Sequence, residues 1–146
     1  MREENIILLA EDNSDDIELI RRLFKKKRIR NKLVVIQDGE EVLEYLYRRG
    51  PYEGRRYSLP SLILLDLTLP KMGALEVLEK IQADEQAFSI PVIILISHEG
   101  ERNLIKEAGL RVDGFIQKPL DLVKLEKAVK EMDFSLVMEA GKRKGL

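Results

Sequence analysis

The chain has 146 residues, 45% of them apolar, and a net charge of −1, which is typical of one soluble globular domain with a single core. The charge balance lacks the basic excess that indicates nucleic-acid binding. Cysteine is absent, so disulfides and thiolate chemistry are excluded. No apolar stretch is long enough to span a membrane, and the charged start MREEN does not resemble a signal peptide. We therefore expect a cytoplasmic protein.

Five apolar runs alternate with five segments of helical pattern along the chain. The predicted strands are Ile6–Ala10, Lys32–Gln37, Ser61–Asp66, Pro91–Ile96 and Asp113–Ile116. The first predicted helix lies in NSDDIELIRRLFKKK, where Asn13 or Ser14 is suited to cap it and Asp15 and Asp16 to occupy its first turn. The other predicted helices span about Gly39–Arg49, Gly73–Ala83, Glu101–Gly109 and Asp121–Met132.

The alternation of strands and helices predicts an α/β fold, with a parallel sheet covered on both faces and right-handed crossovers. The runs LILL at 62–65 and VIILI at 92–96 are continuously apolar, as strands buried on both faces should be. In such sheets, functional sites form beyond the carboxyl ends of the strands. The residues that follow each strand are therefore the candidates for function.

Charged residues follow three of the five predicted strands. Glu11 and Asp12 come after the first, Asp66 ends the third, and Lys118 follows the fifth. Neighbouring carboxylates repel one another unless a cation or a shared proton is present, and Mg²⁺ suits oxygen ligands that leave room for water and a phosphoryl group. Lys118 adds a charge able to pair with a phosphoryl oxygen. The pattern indicates that Asp66 is a nucleophile toward phosphorus; a plain strand-end cap is the alternative.

With these motifs, the sequence resembles the receiver domains of response regulators in two-component signalling. The segments ILLAEDNSDD, QDGEEVLEYL and LILLDLTLPKM are similar to stand-alone receivers of the bacterial phytochrome-associated type, as is the loop RRGPYEGRRYSLP. The resemblance covers roughly residues 5–133, and we assign 1–133 to a receiver domain and 134–146 to a C-terminal tail. It implies a doubly wound, flavodoxin-like sheet of five parallel strands in the order 2-1-3-4-5, with helices on both faces.

The resemblance also implies roles for the residues at the strand ends. Asp66 would accept a phosphoryl group from a sensor histidine kinase or a phosphotransfer protein. Glu11, Asp12, Asp66 and the backbone carbonyl of Thr68 would bind a single Mg²⁺. A cis peptide bond after Lys118 would aim its ammonium at the phosphoryl group.

Two positions depart from the family pattern. The serine or threonine that ends the fourth strand in the family is here Ile96, and Ser97 comes one position later. Because side chains alternate along a strand, Ser97 should point to the opposite side of the sheet. The usual Asp-Gly after the LPKM turn is here Gly73-Ala74, a change that a helix N-cap tolerates at little cost.

Two further residues have both a functional and an ordinary interpretation. Phe115 occupies the position of the family's switch aromatic, and a plain core phenylalanine is the alternative. His98, the only histidine, would border the path of the hydrolytic water together with Thr68 and so tune the life of the phosphoryl group. A solvated loop histidine is the alternative.

These observations leave several functions to compare. The first is a phosphoacceptor switch that signals through protein contacts and has no catalysis beyond its own phosphorylation and slow dephosphorylation. The second is a pseudo-receiver binding module with weak or no switching, which Ile96 favours. A phosphatase-type hydrolase is disfavoured because Thr68 stands where such enzymes need a second carboxylate. A flavin-binding relative is disfavoured because AEDNSDD would repel phosphate.

The expected partners follow from the first of these functions. They are the kinase or phosphotransfer protein and a downstream protein, with no direct DNA binding and no membrane association. A homodimer and the role of the segment FSLVM at 134–138 are left open.

Overall fold

The computed structural model describes residues 5–55, 59–130 and 132, so the predicted tail at 134–146 lies outside the described residues. Five parallel strands form one sheet in the order β2-β1-β3-β4-β5. The strands are β1 Ile6–Ala10, β2 Lys32–Ile36, β3 Leu62–Asp66, β4 Val92–Ile96 and β5 Gly114–Gln117. The helices are α1 Ser14–Lys26, α2 Gly39–Tyr47, α3 Ala74–Ala83, α4 Arg102–Glu107 and α5 Leu122–Lys130. The predicted fold class and strand order are confirmed.

Both faces of the sheet are covered, and every residue of β1, β3 and β4 is buried. Successive residues of a strand alternate between two apolar clusters, as the period of two requires. Ile63 and Leu65 face the cluster that contains α2, α3 and α4, whereas Leu62 and Leu64 face the cluster that contains α1 and α5. This double burial explains why the central strands are apolar without interruption. Within the described part of the chain, no helix is both long and apolar enough to cross a bilayer.

The helix ends match the predicted signals in some places and differ in others. The Asn13 side chain caps α1 by accepting a hydrogen bond from the Asp16 backbone N–H at 2.9 Å. Helix α2 stops at Tyr47 rather than at the predicted Arg49, because Arg48 adopts a left-handed conformation with φ of 56°. Helix α4 is shorter than predicted at both ends, since a 3₁₀ turn ends at Glu101 before it and the helix ends at Glu107, ahead of Gly109 with its φ of 72°.

Gly39, the first residue of α2, fixes the loop that follows Asp66. Its backbone N–H donates to the Pro70 carbonyl at 3.3 Å. A Cβ atom at this position would lie 1.9 Å from the Met72 carbonyl oxygen, which is far inside van der Waals contact. Only glycine lets α2 approach the β3–α3 loop this closely, and the loop in turn forms one wall beside the end of β3.

Candidate functional site

The parallel register brings the acidic strand ends together. Ala10 pairs with Leu65 between β1 and β3, so Glu11 and Asp66, which follow these two residues, lie side by side. Carboxylate oxygens of Glu11, Asp12 and Asp66 all lie within 4.8 Å of one another. The sequence-based expectation that these acids form one cluster therefore agrees with the geometry.

Burial differs sharply within this cluster. Glu11 and Asp66 are 0% and 3% exposed, whereas Asp12 is exposed and opens the cluster to solvent. Burial, reinforced by the negative charge of Asp66, raises the pKa of Glu11 to about 7 from its ordinary value of 4.5. A hydrogen bond from the Asn13 backbone N–H to Glu11 Oε2 at 3.2 Å acts in the opposite direction. Burial and the neighbouring charge of Asp66 thus disfavour the ionised form of Glu11.

Lys118 supplies the positive charge of the cluster. Its Nζ lies 3.0 Å from Asp16 Oδ2, 3.2 Å from Glu11 Oε1 and 3.3 Å from Asp66 Oδ1. Burial by itself would lower the pKa of Lys118, but the hydrogen bond to Asp16 and the charges of Asp66 and Glu11 outweigh it and raise the pKa above its usual range. The peptide bond between Lys118 and Pro119 is cis, which confirms that expectation.

Sequence reasoning missed the contact between Lys118 and Asp16. It assigned Asp16 only to the first turn of α1, where an acid suits the helix dipole. A signal was nevertheless present, because residues four apart share a helix face and Ile20 is buried. That spacing places Asp16 on the inward face of α1.

The residues at this edge fit a hard divalent cation. Glu11 Oε1 is buried and accepts no hydrogen bond from the described residues, although Lys118 Nζ lies 3.2 Å away. The Thr68 hydroxyl donates to Asp66 Oδ2 at a long 3.4 Å, so that oxygen is only weakly satisfied. Three carboxylates with spare oxygen lone pairs form the donor set that Mg²⁺ and Mn²⁺ prefer.

Comparison with known proteins decides the family. Residues 7–130 match the response regulator receiver domain family. This chain is a response regulator receiver domain. Receivers are the signalling modules of two-component systems.

Two relatives in the sequence comparison cover most of the receiver. The probable methanogenesis regulatory protein FilR2 of Methanothrix harundinacea (strain 6Ac) is 35% identical over 87% of this chain and 80% of its own length. Response regulator Rcp1 of Synechocystis sp. (strain ATCC 27184 / PCC 6803 / Kazusa) is 34% identical over 88% of this chain and 86% of its own length.

Two solved structures extend the comparison. The bacteriophytochrome response regulator AtBRR is 37% identical, with a TM-score of 0.87 over 94% of this chain and 99% of that one. The Mn²⁺-bound form of Rcp1 is 30% identical, with a TM-score of 0.73 over 90% of this chain and 98% of that one. These likenesses confirm the resemblance to phytochrome-associated receivers and the flavodoxin-like fold.

The end of β4 in this receiver is apolar. Ile96 is 0% exposed and packs in the same cluster as Ile105 of α4, while Ser97 is exposed. The backbone N–H groups of Ser97 and His98 donate to Glu101 Oε1 at 2.6 and 3.5 Å. Glu101 therefore binds the loop after β4 to the start of α4.

His98 lies in this loop, and Phe115 lies on the neighbouring strand β5. The His98 side chain is 70% exposed, and its Nε2 lies 3.8 Å from Glu101 Oε2. Phe115 on β5 is half-buried against the cluster that contains Ile96, and the Arg102 guanidinium lies 4.8 Å from the centre of its ring. Phe115 is thus in contact with the core on one side and with a helix α4 side chain on the other.

Proposed function

We propose that this receiver is a phosphoacceptor response regulator, in which Asp66 takes a phosphoryl group from a sensor histidine kinase or a phosphotransfer protein. The observation that supports this most is the position of Asp66, which lies beside the Lys118 ammonium and within the cluster of three carboxylates. Its Oδ1 lies 3.3 Å from Lys118 Nζ, and its carboxylate lies within 4.8 Å of those of Glu11 and Asp12.

The chemistry of transfer follows from this arrangement. A carboxylate oxygen of Asp66 forms a bond to phosphorus while the P–N bond to the donor histidine breaks, and the donor imidazole keeps the electron pair and takes up a proton. Lys118 neutralises charge on the phosphoryl oxygens. Mg²⁺ bound by Glu11, Asp12, Asp66 and the Thr68 carbonyl would supply further charge neutralisation at those oxygens.

A second function, a pseudo-receiver that binds partners with little switching, has Ile96 in its favour. In the family, a hydroxyl at this position moves to the phosphoryl group and draws the following loop inward, which reshapes the face made by α4, β5 and α5. A hydrogen bond to a charged group contributes about 1.5–3 kcal/mol, or roughly tenfold to a hundredfold in a two-state ratio, and isoleucine cannot make it. We therefore propose that phosphorylation is retained while its coupling to this face is weak.

Output would come through protein contacts at the α4–β5–α5 face. This face carries Phe115 and a groove of about 500 Å³, lined in part by Arg102, Lys124 and Lys127. Rapid hydrolysis is not expected, because Thr68, two residues after the nucleophile, cannot serve as the second carboxylate of a phosphatase-type site.

Incubation with acetyl phosphate and Mg²⁺, followed by intact-mass measurement, tests the proposed function. We expect the wild type to gain the mass of one phosphoryl group and Asp66→Asn to gain none, because the amide is not nucleophilic. Asp15→Asn, which removes an exposed acid outside the cluster, is the matched control and should be phosphorylated like the wild type. An unmodified wild type, or a modified Asp66→Asn, would overturn the proposal.

A further inference from the structure

Asp16 makes the shortest of the three ion pairs of Lys118. The distance from Lys118 Nζ is 3.0 Å to Asp16 Oδ2, against 3.2 Å to Glu11 Oε1 and 3.3 Å to Asp66 Oδ1. An ammonium has three N–H donors, so the number of carboxylates around Lys118 equals the number of its donors. Asp16 is thus a fourth acid of the site, outside the three whose oxygens cluster together.

Neighbouring contacts hold both Asp16 and Lys118 in place. The first turn of α1 is held by the cap from Asn13, and Ile20, one turn after Asp16, is buried. The Lys118 side chain is 18% exposed and that of Asp16 is 29% exposed, and both line a small cavity together with Ile20 and Leu95. A pair fixed in this way differs from an exposed surface pair, whose side chains lose entropy and are screened by solvent.

We propose that Asp16 is a positioning residue, which holds the Lys118 ammonium on the α1 side of the site and so leaves oxygens of Glu11 and Asp66 available to a divalent cation. The inference rests on the proposed function, because the cation and Lys118 both serve transfer to Asp66. It goes beyond that function in assigning a role to an acid that neither binds the cation nor accepts the phosphoryl group.

Competition between two cations is the physical reason. Lys118 and a divalent cation both neutralise Glu11 and Asp66, and both need their oxygen lone pairs. When Asp16 is lost, Glu11 and Asp66 are the ion-pair partners that Lys118 retains among the described residues. The ammonium then competes more strongly with the divalent cation, and the Mg²⁺ concentration needed for half-saturation rises.

Calorimetric titration of the full chain with Mg²⁺, without any phosphoryl donor, measures this competition. Asp16→Asn removes the charge and keeps the shape, and we expect its dissociation constant for Mg²⁺ to rise about tenfold, the scale of one charged hydrogen bond. Asp15→Asn removes the same charge from the neighbouring residue, which is exposed and has no ion pair within the described ranges. It should change the constant by about twofold or less, because exposed charges are screened. Asp16→Glu, which keeps the carboxylate, should recover part of the affinity.

The ¹⁵N signal of the Lys118 ammonium in the metal-free protein gives a second readout. We expect it to shift in Asp16→Asn and to remain in place in Asp15→Asn.

Two results would overturn the inference. One is the same Mg²⁺ affinity in Asp16→Asn and Asp15→Asn. The other is a lower melting temperature for Asp16→Asn with unchanged Mg²⁺ affinity and an unchanged Lys118 signal, which would make Asp16 a structural contact only. If the wild type fails to become phosphorylated, the proposed function fails, while the titration and the ammonium signal still decide the role of Asp16.

Discussion

The ends of β1 and β3 carry charged groups in contact with one another, whereas the neighbouring end of β4 carries a buried isoleucine. Lys118 lies within 3.3 Å of both Glu11 and Asp66. Ile96 is 0% exposed among apolar side chains, although Asp66 pairs directly with Leu95, the residue before it. We propose that chemistry at the aspartate and its transmission to the rest of the domain depend on separate side chains, so that a receiver can retain one while it alters the other.

The largest expected difference between the charged ends of β1 and β3 and the apolar end of β4 lies in how the unfolding free energy depends on pH. Glu11 has a raised pKa of about 7 in the folded protein, against 4.5 ordinarily, so the folded state binds the extra proton and stability falls as pH rises through this range. At 1.36 kcal/mol per pKa unit, metal-free wild type should lose about 2–3 kcal/mol between pH 5 and pH 8 relative to Glu11→Gln. Denaturant unfolding at several pH values measures this difference.

A substitution at Ile96, the apolar end of β4, provides the control for this prediction. Ile96→Val changes packing without changing charge, and its unfolding free energy should follow the pH profile of the wild type at a constant offset of about 0.5–1.5 kcal/mol. Parallel profiles for wild type and Glu11→Gln would contradict the prediction, because they would show that Glu11 does not make the unfolding free energy fall as pH rises.

A smaller expected effect is a rise in melting temperature when Mg²⁺ binds the cluster of Glu11, Asp12 and Asp66. A ligand that binds only the folded state adds about 1.4 kcal/mol at ten times its dissociation constant. We expect millimolar Mg²⁺ to raise the melting temperature of the wild type and of Asp15→Ala, and to leave that of Asp12→Ala unchanged. Asp12 is exposed, so its replacement should not disturb folding. Equal gains for Asp12→Ala and wild type would exclude Asp12 as a ligand.

Much of the cluster of charged residues at the strand ends could be predicted from the sequence, because these residues come directly after recognisable strands. Parallel strands end at one edge of a sheet, so Glu11, Asp12 and Asp66 had to meet once the apolar runs were identified. Helical spacing from Ile20 places Asp16 on the inward face of α1, but its ion pair with Lys118 depends on how α1 docks on the sheet, which spacing does not specify.

The details around β4 were less accessible to sequence reasoning. The sequence showed that Ile96 replaces a hydroxyl residue, and alternation predicted that Ser97 points to the opposite side of the sheet. It did not show that the Glu101 carboxylate binds the backbone of the preceding loop or that Arg102 stacks on Phe115. Both contacts are side-chain interactions made possible by the tertiary position of α4.

The smallest expected effect concerns His98, whose exposed imidazole lies beside the loop after β4. We propose that His98 and Thr68 alter access of water to the phosphoryl group. His98→Ala should therefore change the dephosphorylation half-life by a few-fold, less than the tenfold that corresponds to about 1.4 kcal/mol. Decay of the phosphorylated mass after removal of acetyl phosphate measures this, with Thr68→Ala as a companion variant. Identical half-lives for wild type and His98→Ala would leave His98 as an ordinary solvated histidine.

The most direct test uses beryllofluoride in place of the phosphoryl group. It asks whether chemistry at Asp66 is separate from coupling to the α4–β5–α5 face. Amide chemical shifts on the α4–β5–α5 face are followed by NMR in wild type, Ile96→Thr and Ile96→Val. Threonine and valine have nearly the same shape, so the difference between these variants isolates the hydroxyl. We expect large shifts on this face only in Ile96→Thr, and shifts confined to the surroundings of Asp66 in the other two proteins. Shifts in wild type as large as those in Ile96→Thr would contradict the account, because the face would then respond without a hydroxyl at the end of β4.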